Sequence, residues 1–234
     1  MPNALTRKLG NGAKLSDDDC DYLDRIAQTA RTVPPKNDLV RQGQSPGSMI
    51  VIMEGTACRY KLLPDGQRSI VSLCLPGDFS DMHAGLLDSM DHSFGTLTEC
   101  RVVDLSPEIV ETLLERPGLA GAMARATLVD QAILREWLAN MGRRRSDRQF
   151  AHLLCEVHER LRMVGRRQRI VLSLTHEQIA DILGITSVHV QRVSAELRKA
   201  GLIETKNRSI RIPDIDLLKA FAEFEGDYLH LPGS

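Results

Sequence analysis

Three textures of apolar and polar positions succeed one another along the chain. Near the start, Ser16-Asp17-Asp18-Asp19 opens an amphipathic stretch that runs to Ala27. Ser16 suits an N-cap, and acidic residues in a first turn oppose the positive end of a helix dipole. After Pro34-Pro35 the pattern shortens. Apolar runs at residues 49–53 and 70–75 are broken by Gly43, Pro46-Gly47, Gly55, Pro64-Asp65-Gly66 and Pro76-Gly77. Turn signals about ten residues apart predict an antiparallel β barrel or sandwich, with a last strand at residues 101–105.

The third texture is helical. Ser106-Pro107-Glu108 starts a helix with Pro at its first position, and Pro117-Gly118 breaks it. Residues 119–141 then read as one long helix. Leu119, Met123, Ala126, Ile133 and Trp137 form one seam, and Leu128, Leu134 and Leu138 lie off it. A helix with two apolar faces must bury both. One face can pack on the barrel and the other on a second subunit; the alternative is the core of a monomer. Met141-Gly142-Arg143-Arg144-Arg145-Ser146 marks a junction, followed by a helix over 146–163, a basic turn over 165–169 and a short strand over 170–173.

Residues 174–197 carry the informative motif. Thr175 and Gln178 have capping-box spacing. Ile179, Ala180 and Leu183 give one apolar face, and Gly184 can end the helix in the left-handed conformation. Thr186 can cap a second helix, whose buried face is Val190, Val193 and Leu197. Two short helices about a Gly-containing turn make a helix-turn-helix. Val188, Gln191, Arg192 and Ala195 then point outward, flanked by Ser187 and His189. Such a small, polar face fits a major groove about 12 Å wide, where Arg192 can read guanine, Gln191 adenine and Val188 a thymine methyl. Thr175, His176 and Thr186 stand at helix N-termini, where donors hold phosphates. Residues 201–212 predict two strands about a basic turn. They would form a wing that puts Lys206 and Arg208 beside the DNA backbone. A helical hairpin with no nucleic acid, or a winged-helix domain used for protein contacts, is the bland alternative.

The overall charge of −1 hides an asymmetry that favours a polyanion partner. Residues 142–211 hold 15 Lys+Arg against 7 Asp+Glu. Hydrophobic residues make up 42% of the 234 and charged residues 26%, as in ordinary globular domains. No apolar run reaches the roughly 20 residues of a membrane helix, and the polar first fourteen residues lack a signal-peptide core, so a cytoplasmic location without membrane contact is expected. The five cysteines are scattered without metal-site spacing. They read as free buried thiols, with Cys155 in a positive stretch as the candidate for a lowered pKa. No phosphate loop, nucleophile elbow or paired-carboxylate motif indicates an enzyme.

On residues 174–203, the Asp65-Gly66-Gln67-Arg68 turn and Leu75-Pro76-Gly77-Asp78-Phe79, the chain resembles the Crp/Fnr family of bacterial transcription regulators. The resemblance implies an α+β fold: an N-terminal antiparallel β-roll, cyclic-nucleotide-binding-like (1–118), a long dimerisation helix and hinge (119–145), and a C-terminal winged helix-turn-helix (146–234). It implies a homodimer on double-stranded DNA with an inverted-repeat site, and allows contact with RNA polymerase. The candidate effector pocket comprises Gly77, Asp78, Phe79, His83, His92 and Ser93. Departures from the family pattern bear on the ligand. No glutamate stands ready for a ribose hydroxyl, His92 replaces the phosphate-binding arginine, and Asp78, Asp81, Asp88 and Asp91 oppose a phosphate. Cyclic AMP dependence is therefore not expected, nor is an iron–sulfur cluster, since Cys20 stands alone. His83 and His92 read as surface residues rather than metal or haem ligands, so no cofactor is expected. The effector is unidentified; gating by a cyclic nucleotide or another small ligand in the β-roll, or by cysteine oxidation, is the alternative. Val188 stands where many relatives carry glutamate, which predicts an altered half-site with the guanine contact of Arg192 retained.

Overall fold

The computed structural model describes residues 2–45, 47–81, 88–166 and 170–231. Helices α1 (Ala4–Leu9) and α2 (Asp17–Gln28) lead into the β-roll. Ser16 caps α2 in a reciprocal box with Asp19. The strands that follow are β1 (Arg31–Val33), β2 (Asp38–Val40), β3 (Met49–Glu54), β4 (Ala57–Leu62), β5 (Arg68–Cys74), β6 (Ser93–Thr96) and β7 (Cys100–Leu105). They pair antiparallel in two sheets, ordered β1-β7-β3 and β2-β6-β4-β5.

Strand periodicity explains the layers. Side chains alternate across a sheet, and β3 is buried on both faces. Its Met49, Val51 and Met53 pack with Leu5, Leu23 and Leu119 of the helices. Its Ile50 and Ile52 point the other way, into the space between the sheets with Phe94 and Val102.

Two helices follow, α3 (Pro107–Leu114) and α4 (Pro117–Arg143). Pro117 opens α4 rather than preceding it, because proline lacks only a donor that the first helical position leaves unused. The long helix thus begins two residues before the expected start. Leu119, Met123, Ala126, Ile133 and Trp137 are buried, whereas Leu128, Leu134, Leu138 and Met141 are 45–63% exposed.

The C-terminal part comprises α5 (Ser146–Met163), β8 (Ile170–Ser173), α6 (His176–Leu183), α7 (Ser187–Lys199), β9 (Glu204–Lys206), β10 (Ser209–Arg211) and α8 (Ile215–Ala222), closed by a 3-10 turn at Asp227–Leu229. Its core is continuous with the outer face of the β-roll. Tyr60, Ile70 and Leu73 of β4 and β5 share one apolar cluster with Phe150, Leu154, Ile179 and Val190. Each fully buried Leu or Phe contributes about 2 kcal/mol by leaving water, so the two parts hold each other. Polar clasps reinforce the seam: Arg68 Nε donates to Asp181 at 2.8 Å, and Gln178 Nε2 to the Leu97 carbonyl at 3.3 Å.

Cys155 departs from the expectation of a lowered pKa. It is completely buried, and burial pushes its thiol up to about 12. Burial dominates, and Glu159, four residues on, opposes Lys219, the cation that favours the thiolate, so the local positive stretch does not activate it.

Candidate nucleic-acid interface

Local sequence chemistry sets the geometry of α6 and α7. Thr175 Oγ1 accepts from the Gln178 backbone N–H at 3.1 Å, and Gln178 Oε1 accepts from the Thr175 N–H at 2.9 Å. Gly184 ends α6 at φ 64°, ψ 32°, a conformation that glycine takes without a Cβ penalty. Thr186 Oγ1 then caps α7 by accepting from the His189 N–H at 3.2 Å. Val190, Val193 and Leu197 are at most 1% exposed, whereas Val188 is 75% exposed. Gln191, Arg192 and Ala195 share its solvent face.

Strands β9 and β10 form the wing. Lys206 pairs with Ser209 across a two-residue turn in which Asn207 and Arg208 both have positive φ, 48° and 66°. That is the turn whose twist matches a hairpin, and it puts the Arg208 side chain at the tip. Between α7 and the wing runs a groove of about 580 Å³. Thr175, His176, Ser187, Val188 and Gln191 line one side, and Lys206 and Arg208 the other.

Thr186, His189 and Arg192 lie outside that lining, on the opposite flank of α7. There His189 Nε2 meets Ser146 Oγ at 2.7 Å and Arg192 Nη2 at 3.2 Å. Arg192 Nε also stands 4.0 Å from Glu196. The imidazole thus fixes one side of the guanidinium and ties α7 to the start of α5. The motif alone marks Ser146 only as a helix start. Its role beside His189 needs the tertiary fold.

The candidate effector residues separate. Asp78, Phe79 and His92 line a β-roll cavity of about 440 Å³ that faces α4. Gly77 stands off it, its N–H donating to the Ile52 carbonyl and its Cα packed against Lys8 and Ala4. Ser93 is also off the cavity, its hydroxyl accepting from the Gln42 N–H. His83 lies outside the described residues. Sequence reading missed Arg59 of β4, which donates to Asp130 of α4 at 2.7 Å and to the Ser80 and Phe79 carbonyls. Lys8 and Lys61 also line this cavity, engaged with Asp78 at 2.6 Å and Asp91 at 3.5 Å. Each cation in the described lining therefore already faces a carboxylate.

Asp78 is not an unscreened negative charge. It accepts from Lys8 and from Arg160 of α5, each at 2.6 Å, and from the Leu75 N–H. Although burial opposes ionisation, these partners hold its carboxyl well below the usual range. Arg160 also donates to Glu156, which accepts from the Trp137 indole and the Tyr228 hydroxyl. One buried chain of polar contacts thus runs from α1 through the β-roll to α4, α5 and the C-terminal turn.

Comparison with known proteins fits this division. Residues 148–221 match the Crp-like helix-turn-helix domain, and residues 30–117 match the cyclic nucleotide-binding domain. The transcriptional activatory protein AadR of Rhodopseudomonas palustris is 29% identical over 222 residues, 94% of this chain and 92% of AadR. The nitrogen fixation regulation protein FixK of Bradyrhizobium diazoefficiens is 31% identical over 173 residues, 73% of this chain and 72% of FixK. Among solved structures, a CRP-family regulator from Thermus thermophilus superposes with a TM-score of 0.68 at 22% identity, covering 82% of this chain and 96% of that one. FixK2 from Bradyrhizobium japonicum gives 0.67 at 20%, with the same coverage. These two are likenesses of fold.

A β-roll of the cyclic nucleotide-binding type joined by a long helix to a Crp-like winged helix-turn-helix defines a DNA-binding transcription regulator, a class without catalytic function. The chain belongs to the Crp/Fnr family. No helix among its described residues is long and apolar enough to cross a membrane.

Proposed function

We propose that the protein is a homodimeric, sequence-specific regulator that binds an inverted repeat through α7 and does so without cyclic AMP. Its parts are a sensor over 1–118, a dimerisation helix and hinge over 119–145 and a DNA-binding unit over 146–234. The observation that carries the reading is the exposed face of α7 beside the basic groove of the wing. Val188, Gln191 and Arg192 read bases in the major groove, with Ser187 and His189 at the helix entry. Thr175, His176, Thr186, Lys206 and Arg208 hold phosphates. Leu128, Leu134, Leu138 and Met141 form an exposed apolar stripe on α4, which a second copy covers about a two-fold axis. That axis sets two half-sites one helical turn apart.

Independence from cyclic AMP draws support from the β-roll cavity, where Arg59, Lys8 and Lys61 already serve carboxylates. A phosphate would have to displace those pairs. A second reading, in which a different small ligand enters this cavity, is favoured by His92. Its Nδ1 meets Asp91 at 2.7 Å, while its Nε2 is buried without a partner. Gating through Cys155 is disfavoured by its burial and raised pKa.

Selection of bound sequences from random duplex DNA, with and without cyclic AMP, tests the proposal. A two-fold-symmetric motif in both samples is expected, and a motif only with cyclic AMP would overturn the reading of the cavity. Repeating the selection with Arg192→Ala and Val188→Glu should relax a guanine position and add a cytosine preference, each by about 1–3 kcal/mol.

A further inference from the structure

Where the N-terminal helices meet α5, the structure holds a cavity of about 660 Å³, within the size range of small-molecule sites. Thr6, Asn11 and Leu15 wall one side, and His158, Arg162 and Met163 of α5 the other. It shares no lining residue with the β-roll cavity.

Its chemistry is one-sided. Arg7, Arg162 and Arg166 line it, and none of the described lining residues is a carboxylate. Arg162 and Arg166 lean on Glu159 at 2.8 Å and Glu54 at 3.7 Å, both outside the lining. Arg7 donates Nε to the Pro2 carbonyl at 3.0 Å, and its guanidinium lies over Gly165, where any Cβ would collide with it. His158 adds an imidazole whose pKa burial holds below the ordinary value, so it stays neutral near pH 7. Leu15, Met163 and Leu231 make the apolar wall.

Two polar atoms among the lining residues lack partners. Thr6 is 6% exposed, and its Oγ1 is buried without a hydrogen bond. Asn11 Oδ1 is likewise buried and unpartnered. Both atoms are closed to solvent, so neither faces the cavity; the three arginines and the apolar wall are what a ligand would meet.

We propose that this cavity is a second ligand site, which takes a small organic carboxylate with an apolar body. The guanidinium forks of Arg7 and Arg162 receive the carboxylate, and the hydrocarbon lies on Leu15, Met163 and Leu231. Because one wall belongs to α1–α2 and the other to α5, which leads into the helix-turn-helix, occupancy favours the conformation in which those walls stay together. The site stands on its own observations; its coupling to DNA affinity rests on the DNA-binding reading above.

The test is calorimetric titration of the full chain, without DNA, with straight-chain carboxylates from butanoate to decanoate. Octanamide serves as the uncharged isostere and inorganic phosphate as the bare anion. At least one carboxylate should bind saturably with Kd below about 1 mM. Arg7→Met should weaken it about tenfold, as expected for losing a charged hydrogen bond. Octanamide should not bind. Arg162→Gln, at a side chain that is 60% exposed, repeats the charge test should Arg7→Met fail to fold. The proposal is overturned if no carboxylate binds, because the cavity then takes only water. It is equally overturned if octanamide binds as tightly, or if both arginine variants bind like the parent, which would put the acid elsewhere. A chain that binds a carboxylate but selects no DNA motif would refute the proposed function and leave this site standing; a chain that selects DNA but binds no carboxylate would do the reverse.

Discussion

Replacing Arg160 by Met keeps most of the side-chain length and removes one charge from the centre of the molecule. Arg160 is 4% exposed and donates to Asp78 at 2.6 Å, to the Leu73 carbonyl at 2.8 Å and to Glu156 at 2.9 Å. The two carboxylates fare differently when it goes. Asp78 keeps Lys8 at 2.6 Å and the Leu75 N–H. Glu156 keeps only the neutral donors Trp137 and Tyr228, at 3.1 and 3.0 Å. One buried carboxylate is therefore left without a cation. Removing one partner of a buried ion pair costs about 3–5 kcal/mol, and the Lys8 contact puts this case near the lower end, about 3 kcal/mol.

The loss also acquires a pH dependence with a definite sign. Burial already raises the Glu156 pKa above its ordinary 4.5, opposed by Arg160. Without Arg160 it rises further. A carboxyl whose folded pKa exceeds its unfolded one contributes most below the unfolded pKa and loses that contribution as pH rises through the folded pKa. The Arg160→Met deficit should therefore grow from acid to neutral pH. Urea unfolding of Arg160→Met, Glu156→Gln and the double variant across that range measures it. The double variant should be about 2 kcal/mol more stable than the sum of the single losses, because no carboxylate is then stranded. A single-variant loss under about 1 kcal/mol, typical of an exposed pair, or strict additivity, would refute the reasoning.

Three further outcomes follow from particular residues. Arg208 occupies φ 66° at the wing tip; Arg208→Gly should raise stability by about 1 kcal/mol by relieving that conformation, while reducing the slope of log DNA affinity against log salt by about one phosphate contact. His152 is held at about 4 by burial and, secondarily, by Arg144, against 6.5 when unfolded, opposed by the Glu136 carboxylate 3.3 Å from its Nε2. The unfolded chain takes up that proton first, so stability should fall by up to about 3 kcal/mol as pH drops from 6.5 to 4, and His152→Leu should remove this part of the slope in urea titrations. Leu134→Glu with Leu138→Glu places charges on the exposed stripe of α4; sedimentation should show a monomer with an unchanged circular dichroism spectrum, and a persistent dimer would put the interface elsewhere.

What the residues announce on their own depends on whether the deciding interaction is local. The Thr175–Gln178 box, the left-handed Gly184 and the Thr186 cap each close within four residues, so spacing alone marks the helix-turn-helix. The turn-punctuated runs of the β-roll are local in the same sense. Arg160 is the opposite case. On an amphipathic helix, arginine reads as a solvated residue, and the return of Asp78, 82 positions earlier, joins the local Glu156 in making its burial tolerable. Cys155 fails for the same reason: neighbouring charges predict an activated thiol, but tertiary burial decides its pKa. Asp78 joins the two cases. Its place after Gly77 resembles the entrance to a ligand cassette, yet its carboxylate is spent on Lys8 and Arg160. A group that lines the β-roll cavity thus also anchors α5. A ligand that drew Asp78 away from Arg160 would have to supply Arg160 with another anion or strand it.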